Sequence, residues 1–396
     1  MLQRRELLKN ASLIALAPVA PAFFARAPRA KDGRILVVIE VNGGNDGLNT
    51  LVPYGDDAYA KARPTLAIPR KDVLTLDDRV GFHPSLKGFA GLLEAGQLAV
   101  VQGAGYPSPN LSHEVAMATW HTGRTDYHGR RGLGWLGRGL DAPEVRANPA
   151  AVLSGQDELP GALASRRAPV AVVQGIDEYL DAQPGDEEVG QALEASISGS
   201  EPAVTTRIRQ VLLDARATSK RLRESAAAPA AGAMVPTTQL GRDLALIAFL
   251  IRSGLETPVY YAVQHGYDTH AIQADAHAAR LAELGGALEA FCADIRAAGA
   301  LERVLVLLFS EFGRRVGENA SRGTDHGTAA PVFLAGPAVK AGLHGTAPSL
   351  TELDDGNLVS TVDFRSIYAT VMRRWLGWDT AAVLETEFAE LDLLRV

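Results

Sequence analysis

Arg34-Ile35-Leu36-Val37-Val38-Ile39-Glu40-Val41 runs straight into Asn42-Gly43-Gly44-Asn45-Asp46-Gly47. The first eight residues are nearly all apolar and largely β-branched, without polar alternation. That is the pattern of a strand buried on both faces, as in a parallel sheet covered by helices. The glycine-rich segment after it is a loop at the strand's C-terminal end, where ligands bind in open α/β sheets. The same pattern recurs. Leu98 to Gln102 reads as a strand, followed by a Gly/Pro-rich loop over 103–110 and a helix starting near Ser112. Val170 to Gln174, Pro258 to Gln264, Arg303 to Phe309 and the short Pro331 to Leu334 read as further strands. Helices are expected over Thr205 to Glu224, Thr237 to Ser253, 274–298 and Val362 to Leu376. Residues 124–140, rich in Gly and Arg, read as an irregular loop, and Ala226 to Ala233 as a surface connection. Strands alternating with helices predict a three-layer α/β/α sandwich with a mostly parallel central sheet.

The chain has 396 residues, 47% hydrophobic and 21% charged, enough to bury a large core. Its net charge of −7 and lack of a basic run argue against nucleic acid as a partner. Cys292 is the single cysteine, so no internal disulfide forms, and its apolar setting makes it a small core residue. Arg4-Arg5, the apolar run Ala11 to Phe24 and the small residues up to Ala30 read as a twin-arginine export signal over 1–30. The run contains Pro18 and Pro21 and is too short for a stable membrane span. The expectation is a partner in the twin-arginine translocase, a periplasmic or secreted location, and one mature domain over 31–396.

The chemistry-bearing side chains gather after the apolar strands: Asp46, then Ser112 and His113, then His265, Asp268 and His270, then Ser310 and Glu311. Asp325 and His326 precede the strand at 331. Carboxylates, imidazoles and hydroxyls without thiolates suit a divalent metal: Zn²⁺, or Mg²⁺, Mn²⁺ or Ca²⁺ with fewer imidazoles. Two such cations side by side would stabilise phosphoryl or sulfuryl transfer. Ser112 is either a helix N-cap or a nucleophile, and the two roles are compatible. Arg314 either clamps a substrate oxyanion or pairs with Glu318. His83 and His121 are both expected to be structural, with His121 the nearer of the two to the cleft, and His277 to be solvated or supporting.

Five segments in this order resemble the DUF1501 proteins: Val41 to Thr50, Pro109 to His113, Gly266 to His270, Ser310 to Arg314 and Gly323 to Gly327. DUF1501 is in turn similar to the alkaline phosphatase and sulfatase superfamily. That resemblance implies an alkaline phosphatase-like fold and a hydrolase of phosphate or sulfate esters. It makes Ser112 through Gly123 the nucleophile helix. It makes Asp46, Asp268, His270, Glu311, Asp325 and His326 the metal ligands, with Ser112 and Arg314 catalytic. Asp46 and Glu311 would share one cation, and Asp268, His270 and His326 a second. Ser310-Glu311 stands where that superfamily has Asp-His, which removes one imidazole. Such a site holds one metal, prefers a harder cation, or is inactive. The competing reading is an exported binding or assembly protein that keeps the fold without catalysis.

Overall fold

A computed structural model describes residues 33–126, 132–142, 151–156, 158–168, 170–173, 237–255 and 257–396. The expected export signal, the helix over 205–224 and the connection over 226–233 lie outside these residues.

The opening apolar run forms strand β1 (Ile35–Asn42). Beside it in one sheet lie β2 (Leu98–Gly105), β3 (Ala151–Ser154), β4 (Val170–Val173) and β5 (Val259–His265). The sheet is completed by β6 (Val304–Phe309), β7 (Ala330–Ala335), β8 (Gly342–His344) and β9 (Val362–Asp363). The strand order is β8-β2-β7-β6-β1-β5-β3-β4, with β9 also pairing to β2. β1 runs parallel to both β5 and β6, and β7 is antiparallel to both β6 and β2. The sheet is therefore mostly parallel, as expected, with β7 reversed.

Each central strand is apolar on both faces because both faces are covered. Ile35, Val37, Ile39 and Val41 join a core with helices α2 (Lys87–Glu94), α5 (Gln239–Arg252) and α6 (Gln273–Ala297). Leu36 and Val38 face the opposite layer, which holds α3 (His113–Thr122), α4 (Trp135–Leu140), α7 (Phe364–Thr370) and α8 (Thr380–Leu384). Each fully buried Val or Leu on such a strand is worth roughly 1.5–3 kcal/mol, which is why the pattern tolerates few polar residues. A short helix α1 (Asp57–Ala62) and a three-stranded sheet (Leu51–Val52, Leu74–Thr75, Gly81–Phe82) add to one end.

Two expectations need correction. The stretch 124–140 is not all irregular: Trp135, Leu136 and Leu140 are buried and drive the short helix α4. The closing helix is α7, followed by a wider π-type turn over Val371–Leu376. The short strand Ala151–Ser154 is not among those expected from the sequence.

The reversal of β7 matters for the site. β1, β2, β5 and β6 all end at one edge of the sheet. β7 begins at that edge, so the residues before it, including Asp325 and His326, arrive where the other loops end. An antiparallel bridge between Arg314 and His326 continues the β6–β7 pairing into the loops.

Candidate metal centre

The loop after β1 needs its paired glycines. Gly43 and Gly44 have φ of 115° and 76°. A Cβ on Gly43 would lie 2.6 Å from the backbone nitrogen of Asp268, and one on Gly44 would lie 2.1 Å from the Phe312 ring. These glycines let the loops after β1, β5 and β6 close on one another. Arg314 binds them together. Its Nε donates to the Gly44 carbonyl at 2.7 Å and its Nη1 to Thr324 at 2.8 Å. Its Nη2 donates to the Gly43 and Tyr267 carbonyls and, at 2.8 Å, to Asp268 Oδ1.

Around Asp268 stand three imidazoles. His326 Nε2 lies 3.1 Å and His270 Nε2 2.9 Å from Asp268 Oδ1, and His113 Nε2 lies 3.6 Å from Oδ2. His113, Asp268 and His326 offer ligand atoms all within 4.8 Å of one another, one such group among the described residues. Each ring is held by its other nitrogen. His113 Nδ1 sits 3.0 Å from Glu311 Oε1, His270 Nδ1 3.2 Å from Asp325 Oδ1, and His326 Nδ1 2.8 Å from the Leu111 carbonyl. These partners only accept, so each Nδ1 carries the proton and each neutral Nε2 presents a lone pair. His270 Nε2 and His326 Nε2 face one another at 3.0 Å. Lone pairs at that distance, beside a carboxylate, call for positive charge between them, which a cation would supply. Held Nδ1 atoms and converging Nε2 atoms are the arrangement of metal-ligating histidines. His113, Asp268 and His326 therefore fit a divalent cation, with His270 standing beside them. Phe312 packs against His326 and His113, with ring centroids 4.6 and 5.0 Å away, and fixes their orientation.

The charges agree with this geometry. Partial burial would raise the Asp268 pKa, but the hydrogen bond from the Arg314 guanidinium outweighs it and holds the carboxyl at about 2. The hydrogen bond to Glu311 raises the pKa of His113 against the opposing effect of burial. Hydrogen bonding from Asn319 is the largest influence lowering that of Asp325.

Of the residues singled out in the sequence, the structure brings Asp268, His270, Asp325 and His326 together. Glu311 reaches the same place by another route. It is fully buried, and its Oε1 accepts from the Gly43 backbone N–H at 2.8 Å as well as from His113. Its Oε2 accepts from Ser310 Oγ at 3.0 Å, so the carboxylate holds His113 and does not face the cleft. Asp46 is not brought to the cluster. It is sealed in the core, where its Oδ2 meets Arg63 Nη1 at 2.6 Å and Gln273 Nε2 at 2.5 Å and its Oδ1 accepts from the Asn49 N–H. The expectation that Asp46 and Glu311 share a cation is not met, because both carboxylates are engaged by protein donors. The expectation of Arg314 as an oxyanion clamp is not met either: its donors are committed to four carbonyls and Asp268. Nor does it pair with Glu318, which caps the backbone at Thr65 and Leu66.

Ser112 is the N-cap of α3, yet its side chain makes no cap hydrogen bond and it is exposed beside His113. His121 is buried, its Nε2 2.7 Å from Glu40 Oε2, in a structural position. His277, expected to be solvated or supporting, is buried and bonds Asn45 at 3.0 Å, and burial pushes its pKa down to about 4. His83 is buried, and burial pushes its pKa down to about 4 as well. His113 is the main residue underweighted in the sequence. Its signal was present, since Ser112-His113 opens a helix directly after a strand and loop.

Over residues 34–388 the sequence matches the DUF1501 family, protein of unknown function. The chain belongs to the DUF1501 family. The five segments that resemble it include every ligand in the histidine cluster. No curated protein matches this DUF1501 chain in sequence. Among solved structures it is similar to the PsFucS1 sulfatase from Pseudoalteromonas sp., with 11% identity, a TM-score of 0.38, and coverage of 96% of this chain and 74% of that one. It is also similar to the C-terminal periplasmic domain of EcEptC from Escherichia coli, with 10% identity, a TM-score of 0.37, and coverage of 93% and 91%. A protein in the alkaline phosphatase superfamily from Vibrio parahaemolyticus gives 8% identity, a TM-score of 0.36, and coverage of 94% and 78%. Among the described residues no helix is long and apolar enough to cross a membrane.

Proposed function

We propose that this DUF1501 chain is an exported hydrolase of phosphate or sulfate esters that works with one divalent cation. His113, His326 and Asp268 hold the cation, with His270 as a nearby fourth donor. The observation that carries this reading is the set of three imidazoles, each held at Nδ1, aiming Nε2 at one carboxylate. The twin-arginine signal over 1–30 delivers the mature domain, 31–396, to the periplasm or beyond.

When bound, the cation supplies a Lewis acid that polarises the ester and lowers the pKa of a neighbouring hydroxyl. Ser112 provides that hydroxyl, free of the capping bond that an N-cap serine normally makes. Its oxygen attacks phosphorus or sulfur, the alcohol leaves with the proton, and water then releases the acid and restores the serine. The positive end of the α3 dipole lies at Ser112 and favours the negative charge that develops. Glu311 and the Leu111 carbonyl keep His113 and His326 in the tautomer that leaves Nε2 open.

A second reading, an exported binding or assembly protein, draws support from Asp46 and Arg314. Both are fully engaged inside the protein, which leaves the site fewer charged groups for catalysis. Elemental analysis of the purified chain, followed by a screen of phosphomonoesters, phosphodiesters and sulfate esters, separates the two. About one metal per chain with turnover supports the hydrolase, and a folded metal-free protein supports the alternative. Ser112→Ala is expected to abolish turnover and leave metal content unchanged. Turnover that survives this substitution removes Ser112 as nucleophile.

A further inference from the structure

At the rim of the histidine cluster two side chains stand in backbone conformations that L-residues rarely adopt. Ile272 has φ of 45° and Arg322 has φ of 56°. A β-branched residue in the left-handed region is an outlier, and such strain tends to persist where function requires it. The two segments are joined: the Ile272 N–H donates to the Ser321 carbonyl and the Gln273 N–H to the Arg322 carbonyl, both at 3.0 Å. Asn319 ties this rim to the centre, donating from Nδ2 to the His270 carbonyl at 3.0 Å and to Asp325 Oδ1 at 2.9 Å. Ile272 lies two residues from His270, so their Cα atoms are within about 7.6 Å.

Neither side chain has an internal task. Ile272 is 66% exposed, the largest value among the exposed large hydrophobic residues described. The Arg322 side chain is exposed and, among the described residues, makes no hydrogen bond or ion pair. The other arginines near the centre are committed: Arg63 to Asp46, Arg314 to Asp268, and Arg315 to Asp355. Folding alone would favour Gly or Asn at both positions, and a buried site for the isoleucine.

We infer that Arg322 and Ile272 form the substrate-recognition rim of this centre, Arg322 meeting the oxyanion and Ile272 an apolar group attached to it. Arg322 thereby takes the role that Arg314 has no free donors to perform. The inference rests on the metal-centre reading above and narrows it to esters of an apolar, aryl-like alcohol. A guanidinium offers an oxyanion paired donors, and the isoleucine offers apolar contact area beside it.

The test uses the full chain loaded with Zn²⁺ and two non-hydrolysable probes, phenylphosphonate and methylphosphonate, titrated by calorimetry. Wild type should bind phenylphosphonate more tightly. Ile272→Gly should remove that preference, a loss of roughly fivefold for phenylphosphonate alone. Because it also relieves the backbone, its Tm should rise by about 2 °C. Ile272→Asn, which tolerates the same backbone, provides a second variant. Arg322→Gln should weaken both probes about tenfold. Zinc content should stay at the wild-type value in all three. Equal binding of the two probes, no binding by wild type, or variants that bind like wild type overturn the recognition rim while zinc stoichiometry leaves the metal centre standing. Wild-type protein that takes up no zinc defeats both.

Discussion

Asp46 and Asp268 lie on neighbouring loops of the same sheet edge, and the protein treats them in opposite ways. Asp46 is sealed, and its charge is met inside the core by Arg63 and Gln273. Burial alone would raise its pKa, but the Arg63 guanidinium overrides that and lowers it. Asp268 is half exposed, anchored on one side by Arg314 and open on the other to three imidazoles. A carboxylate whose charge is answered within the fold serves the fold. One whose surroundings leave electron pairs converging on an open face has capacity for a cation. Residue type and position after a strand made the two look alike in the sequence. Each has a buried arginine partner; what separates them is that Asp46 is enclosed on every side and Asp268 is open on the face where the imidazoles stand.

The largest effect is expected at Arg63. Arg63→Met leaves the Asp46 carboxylate buried without its cation and should cost about 3–5 kcal/mol, read from denaturant unfolding. Metal content in the surviving folded protein should be unaffected. A loss below 1 kcal/mol would mean that Asp46 is less committed to the fold than its contacts imply.

Asp243 on α5 is a third case, a buried carboxylate that forms no ion pair among the described residues. It is 2% exposed, Gln239 donates to its Oδ1 at 2.8 Å, and its Oδ2 has no hydrogen-bond partner. Burial pushes its pKa up to about 6. An acid with a raised folded-state pKa stabilises fully below its unfolded pKa near 4. That contribution disappears as pH rises through about 6. Asp243→Asn should therefore stabilise the protein by about 2–3 kcal/mol at pH 8 and change little at pH 4. Parallel unfolding curves at the two pH values check this. Equal effects at both would show that Asp243 does not titrate in this range.

The smallest effect is expected at Glu311, which acts through His113. Glu311→Gln keeps the shape but weakens the hold on His113 Nδ1. Metal affinity should fall about 10- to 100-fold, with little change in stability. Competition with a chelator measures this, and wild-type affinity would remove Glu311 from the support of the centre.

The fold was legible because continuous apolar strands need helices on both faces, and that pattern survives in one dimension. The segments 258–264 and 303–309 were placed within a residue or two of the observed β5 and β6. The cluster was legible in part, since Asp268, His270, Asp325 and His326 sit in short polar loops beside strands. Three roles were not. Asp46 looked like a ligand because no local signal announces Arg63, seventeen positions away and folded onto it. Arg314 looked free because its partners are backbone carbonyls, which every residue has. Ile272 and Arg322 carried no signal, because a left-handed backbone at a non-glycine residue is imposed by the contacts around it.

By itself, then, the sequence determined the α/β class, the sheet edge that gathers the polar loops and the supply of carboxylates and imidazoles. Those depend on local apolar patterning and on which side chains follow each strand. The tertiary structure alone decided that β7 runs backwards and so carries His326 to the others, and which charges are answered internally. Strand direction and charge pairing depend on partners distant along the chain, and no local pattern encodes them.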